Sequence, residues 1–250
     1  MPHFDLPHVP SSSEQLLLHD HLDPHTRSSR LSEIILGGQD GLVNVLGVIL
    51  GVAAATSDQR IIIAAGLAAT FAESVSMGAV AYTSTLAQHD LYHSEEAREY
   101  RHIKLVPELE VDEVRRLYAS KGFEGETLDK IVAVITSNPD VWVQVMMSEE
   151  HQLAPPGGLQ GATKSALVVG VAAIVGSLIP LAPFVFLPVG ISMVLSVLVA
   201  AATLFAVGAY KARVTVGHPA RSGMEMAVIG TLSALVGYGV GLLFHVPAVP

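Results

Sequence analysis

Glu99 and His102 stand three residues apart in a charged segment, so a helix there places a carboxylate and an imidazole one turn apart on one face. The same E-x-x-H spacing serves di-iron helical bundles. Farther along, Met146-Met147-Ser148-Glu149-Glu150 offers thioether and carboxylate together. Met146 and Glu150 are i, i+4, and Met147 and Glu150 are i, i+3. Hard oxygen donors alone suit Mg2+ or Ca2+, whereas imidazole and thioether tilt a site toward first-row transition metals. Each pattern also has a plainer use, since an E-x-x-H on a charged helix can be a surface ion pair and a Met pair can fill a core. Two further acids, Asp40 and Glu73, interrupt long uncharged apolar runs. Met77 is one turn past Glu73, Gln39 and Asn44 flank Asp40 with amide oxygens, and Glu33 sits at the polar mouth of the first run.

The elements that must hold these residues are set by composition. Only 15% of the 250 residues are charged while 50% are hydrophobic, against about 25% charged in an ordinary soluble domain. Mean hydropathy is +0.49. The absence of cysteine excludes disulfides, thiolate metal sites and Cys nucleophiles. A net charge of −9 without a basic stripe argues against nucleic acid as a partner. Five apolar stretches run at about 34–56, 61–87, 165–181, 184–210 and 226–244. Each approaches the ~20 residues that cross a ~30 Å hydrocarbon core, so the expected fold is an all-α integral membrane protein with five transmembrane helices.

All but Arg60 of the fourteen Lys and Arg fall in the N-terminal tail, the 88–164 segment or the 210–223 loop. Basic residues collect on the cytoplasmic side, which predicts a cytoplasmic N-terminus, a cytoplasmic 88–164 segment and a non-cytoplasmic C-terminus. No apolar leader precedes the first span, so no cleaved signal is expected. Gly37/Gly41, Gly47/Gly51 and Gly237/Gly241 have the GxxxG spacing that lets helices approach closely in lipid. Pro180, Pro183 and Pro188 are expected to bracket the turn between the third and fourth spans.

Residues 88–164 read as a helical domain inserted between spans two and three. A helix is expected to start at Pro107, with Glu108, Glu110, Asp112 and Glu113 opposing its dipole. Gly122 is expected to cap it, a third helix to span about 127–137, and a fourth to run from Pro139 to Leu153. The full division is a tail at 1–30, spans one and two at 31–87, the polar domain at 88–164, spans three to five at 165–246, and a short tail at 247–250. His3, His8, His19, His21 and His25 lie among Pro and Ser in the first tail, which is expected to be disordered, with weak metal gathering as a second reading.

In order and spacing, these blocks resemble the vacuolar iron transporter family. The resemblance rests on Leu36-Gly37-Gly38-Gln39-Asp40-Gly41-Leu42-Val43, Ser76-Met77-Gly78-Ala79, Arg98-Glu99, Val106-Pro107-Glu108-Leu109-Glu110, Trp142 and Met146-Met147-x-x-Glu150. Gly176-Ser177-Leu178-Ile179-Pro180 and Arg221-Ser222-Gly223-Met224-Glu225-Met226 complete it. It implies a homodimer that exports Fe2+, with Mn2+ as a second cargo, from the cytosol in exchange for protons. It implies Glu99, His102, Glu110, Glu113, Met146, Met147 and Glu150 as metal-liganding positions in the cytoplasmic domain, and Asp40 and Met77 in the membrane. The sequence departs from the family at His102, where a glutamate is usual, and at Val80-Ala81-Tyr82, where many members have Gly-Glu-Tyr. Glu73 is read as the replacement acid, so translocation is assigned to Asp40, Glu73 and Met77, with Glu33 at the entrance. The implied membrane is the vacuolar one in a eukaryote and the inner or plasma membrane in a bacterium, with no prosthetic group. Two other functions fit the polar domain: a membrane-anchored di-iron oxidase on Glu99, His102, Glu110, Glu113 and Glu150, or a metal sensor.

Overall fold

The computed structural model describes residues 28–215 and 217–244. The histidines of the N-terminal tail and the C-terminal tail lie outside them. Among the described residues there are eight α-helices, one π-helical turn and no strand. They are α1 (Ser28–Ala55), α2 (Gln59–Leu105), α3 (Pro107–Ser120), α4 (Gly125–Thr136), α5 (Pro139–Val145), the π turn (Met146–Glu150), α6 (Gly158–Phe186), α7 (Val189–Val214) and α8 (Pro219–Leu243). Five of them, α1, α2, α6, α7 and α8, are long and apolar enough to cross a membrane. This is a multi-pass architecture, as the apolar runs predict. The chain divides into two compact units, Ser76–Leu167 and the remainder, so the division falls within α2 and again within α6.

The apolar unit is built around α1. Leu42, Val45, Leu46, Ile49, Leu50, Ala53 and Ala54 are buried at helical spacing on one face, while Ile34, Leu36 and Val48 are exposed. Its two GxxxG pairs serve two neighbours. A Cβ placed on Gly37 or Gly41 would stand 2.3 Å from the carbonyl oxygen of Val169 or Ala173 on α6. Gly47 and Gly51 face α8, where a Cβ on Gly241 would stand 2.0 Å from the oxygen of Gly51. Only glycine permits these backbone contacts. Phe184 from α6, Ile62 from α2 and Leu204 from α7 fill the remaining core. Phe71, Val75, Leu198 and Leu235 are exposed, as residues are that face acyl chains rather than water.

Two expectations about helix ends are corrected. Pro180 and Pro183 lie inside α6, and only Pro188 stands in the turn, as the N-cap of α7. The missing amides of Pro180 and Pro183 free the oxygens of Gly176 and Ile179, a loss that a membrane helix accepts where the site is covered by protein, and α7 packs against this stretch through Ser196 Oγ, which donates to the oxygen of Pro180 at 2.6 Å, and Ser192 Oγ, which donates to that of Pro183 at 3.0 Å. The expected helix from Pro139 to Leu153 is instead a short α-helix followed by the π turn, and it ends at His151. The His151 amide donates to the Met146 oxygen at 3.1 Å, five residues back. Gln152 then adopts φ 53° and Leu153 donates to the Met147 oxygen at 2.9 Å, a Schellman-like close lengthened by one residue.

In the polar unit the other expected boundaries hold within two residues. Pro107 opens α3, Gly122 has φ 93°, and Asn138 caps α5 by accepting from the Asp140 amide at 2.9 Å. Val114, Leu128, Val132, Ile135, Trp142 and Met146 form the core of this unit. Tyr100 Oη donates to Asp140 Oδ1 at 2.8 Å and ties α2 to α5.

Candidate metal centre

In the apolar unit, Asp40 on α1 and Glu73 on α2 are half-buried. The Glu73 carboxyl lies within electrostatic range of the side chains of Asp40 and Asn44. Sequence spacing gave no reason for two separate helices to meet at their acids, so this is the structure's own contribution to the pair. Glu33 lies two turns before Asp40 on α1 and is half-buried. Met77 follows Glu73 by one turn of α2, half-buried, in the other compact unit.

In the polar unit, two carboxylates are taken almost fully from water. Glu99 is 3% exposed and Glu110 is 4% exposed. A buried carboxylate is costly unless it is paired, and each meets one imidazole. His151 Nε2 is 3.0 Å from Glu99 Oε1, and His102 Nδ1 is 3.2 Å from Glu110 Oε1. Each carboxylate keeps its second oxygen, Oε2, buried without a hydrogen-bond partner. Those two orphaned oxygens are the sharpest sign that the cluster accepts a positive partner.

The surrounding acids reinforce that charge imbalance. Burial pushes the Glu110 carboxyl up, and the charges of Glu99, Glu113 and Glu150 add to the rise, against the opposing effect of His102. Glu150 is likewise raised, first by partial desolvation, then by Glu113, with His151 opposing. Glu113 also pairs with Arg116 at 3.3 Å. Glu149 is drawn aside by Lys121, which leaves Glu150 as the acid of that pair turned to the cluster. The structure thus gathers Glu99, His102, Glu110, Glu113 and Glu150 into one mutually interacting group.

The methionines stand differently. Met146 is fully buried in the core with Val114 and Trp142, and Met147 is buried against Tyr92 and Val143. Among the described residues no three His, Asp or Glu side chains stand close enough to hold an ion as placed.

One member escaped the sequence reading. His151 follows Glu150, and α-helical spacing assigns it no role. The π turn widens the helix by one residue and delivers it to Glu99. Such turns recur at functional sites, and the run of Met, Met, Glu, Glu and His before the Pro-rich linker was the available signal.

The comparisons with known proteins agree over nearly the whole chain. The chain is 33% identical to vacuolar iron transporter 2 of Oryza sativa subsp. japonica, covering 91% of this chain and 93% of that protein. It is 32% identical to vacuolar iron transporter 1 of Arabidopsis thaliana, covering 90% of each. A vacuolar iron transporter of Plasmodium falciparum (isolate 3D7) is 26% identical over 93% of this chain. Residues 31–242 match the VIT family, the five apolar helices and the inserted polar unit included. The chain therefore belongs to the VIT family.

Proposed function

We propose that the protein carries Fe2+, with Mn2+ as a second cargo, out of the cytosol in exchange for protons, working as a homodimer. The observation that carries the reading is the meeting of Asp40 and Glu73, with Asn44 beside them, inside an otherwise apolar unit. Acids within the thickness of a membrane are retained where they face a cavity, a partner or a cation. A carboxylate binds metal only when deprotonated, so releasing an ion and taking protons are two halves of one exchange. Met77 adds a soft donor one turn along α2, and Glu33 offers charge at the mouth. The polar unit, on the cytoplasmic side by the distribution of Lys and Arg, captures the ion through Glu99, His102, Glu110, Glu113 and Glu150. Met146 and Met147 supply thioethers there once their side chains turn from the core.

The names of the relatives support iron as cargo. An oxidase is not favoured, since a di-iron bundle takes two E-x-x-H motifs and two further glutamates and this unit has the one at Glu99–His102. A sensor has no use for the acids at 40 and 73.

Reconstitution tests the reading. Fe2+ and Mn2+ flux into liposomes should require a pH gradient and fall to background in Asp40→Ala and in Glu73→Gln. Flux indifferent to the gradient and to both substitutions would overturn it.

A further inference from the structure

A second set of donors lies on α2, outside the Glu99 cluster. His89 and His93 are i, i+4, and their rings stand 4.5 Å apart between centroids, edge to face. Two histidines at that spacing on one helix face can converge on a single ion. Each ring is approached at Nδ1 by a carboxylate. Asp90 Oδ1 lies 3.4 Å from His89 Nδ1, and Glu96 Oε2 lies 3.0 Å from His93 Nδ1. A carboxylate in that position takes the Nδ1–H, fixes the tautomer and leaves the Nε2 lone pair free, which is how metal-bound histidines are supported from behind. Tyr92, buried, packs edge-on to His93 at 5.5 Å and steadies that ring. Both imidazoles remain open to water, with side chains 31% and 53% exposed. By the ~1.5 Å rise per residue, they lie about 15 Å and 9 Å along the helix axis from Glu99.

We propose that His89 and His93 form a second site for a first-row divalent cation, separate from the carboxylate cluster, with water completing the ligand set. Neutral imidazoles favour Fe2+, Co2+, Ni2+ and Zn2+ over Mg2+ and Ca2+. Two protein donors hold an ion more loosely than a full cage, so the site suits an ion in passage along α2. That use rests on the transport reading, whereas the binding itself does not.

The test uses full-length protein in detergent with Co2+ as the probe, its stoichiometry read by equilibrium dialysis and its ligands by visible absorption. The His89→Gln/His93→Gln variant should bind one Co2+ fewer per chain than the unaltered protein. Glu99→Gln/Glu110→Gln should keep a Co2+ with imidazole character, and adding the two histidine substitutions should remove it. Equal stoichiometry in His89→Gln/His93→Gln and the unaltered protein would mean that the rings only form surface ion pairs, and overturns the proposal. So does loss of the imidazole-ligated Co2+ in Glu99→Gln/Glu110→Gln alone. Absence of gradient-driven flux in liposomes would remove the transport reading and leave this site standing.

Discussion

In the apolar unit, α1 meets α6 and α8 backbone to backbone, while in the polar unit α3, α4 and α5 meet through large side chains around Trp142. The difference follows from the surroundings. Lipid is as apolar as leucine, so burying side chains against one another gains little there, and close backbone packing holds helices together. In water, burial of apolar area drives association. The acids follow the same division. In the apolar unit Asp40 and Glu73 sit opposite one another, whereas the polar unit gathers four, Glu99, Glu110, Glu113 and Glu150, around two orphaned oxygens.

Substitutions that probe each packing device separately sharpen this contrast. The largest effect is expected from Gly176→Val, whose Cβ would stand 2.0 Å from the Gly38 oxygen. Backbone cannot yield as a side chain does, so the loss should exceed the ~1–3 kcal/mol of ordinary overpacking. Size-exclusion profiles and thermal unfolding in detergent should show little folded protein. A normal profile would mean that α1 and α6 can separate without harm. Next, Trp142→Ala should cost about 3–5 kcal/mol but confine the damage to the polar unit. Limited proteolysis should then cut within residues 107–150 and spare the apolar helices; simultaneous loss of both units would erase the proposed contrast.

A smaller effect, of opposite sign, is expected from Glu110→Gln. Burial and neighbouring acids raise Glu110 and Glu150 above the ordinary carboxylate range, so the folded unit binds protons that the unfolded chain releases. Stability from these groups is present in full below the ordinary range and is lost as pH climbs through the raised values. At pH 7 with chelator present, Glu110→Gln should therefore raise the unfolding temperature, by about 2–4 °C for a gain near 1 kcal/mol, and flatten its pH dependence. Added Co2+ should stabilise the unaltered protein by mass action and the variant much less. An unfolding temperature that falls in the variant would show that the His102 pairing outweighs the burial. The smallest effect is expected from Ser196→Ala, at about 0.6 kcal/mol for its lost interhelical bond, read as a slight drop in unfolding temperature.

How much was legible in the sequence depends on the range of the interaction that decides each feature. The five apolar helices and the GxxxG contacts were readable because hydropathy and glycine spacing are local and periodic. The starts of α3 and α5 were readable from Pro107 and from Asn138-Pro139. The inclusion of Pro180 and Pro183 in α6 was not, because whether a proline ends a membrane helix or lies inside it depends on the packing around it, here the contact with Ser196 and Ser192 of the next helix, rather than on local sequence. Asp40 and Glu73 were readable as acids in apolar runs, but their meeting required the packing of α1 against α2. Glu99 and Glu150 were readable from their spacing to His102 and to the methionine pair, whereas Glu110 and Glu113 were assigned through family resemblance. Their convergence, the orphaned oxygens and the place of His151 arise from a helix geometry that α-helical spacing does not anticipate.

The π turn at Met146–Glu150 amounts to an α-helix carrying one surplus residue. Deleting a single residue there, such as Ser148, would let the hydrogen-bond ladder close in α register, because the His151 amide that now reaches five residues back to the Met146 oxygen would then reach four. Trp142 and Val143, which precede the turn, would keep their packing, and His151 would keep its place beside Glu99. Chain length at this one place thus sets how many side chains the turn displays between Met146 and His151, without moving the helix on either side of it.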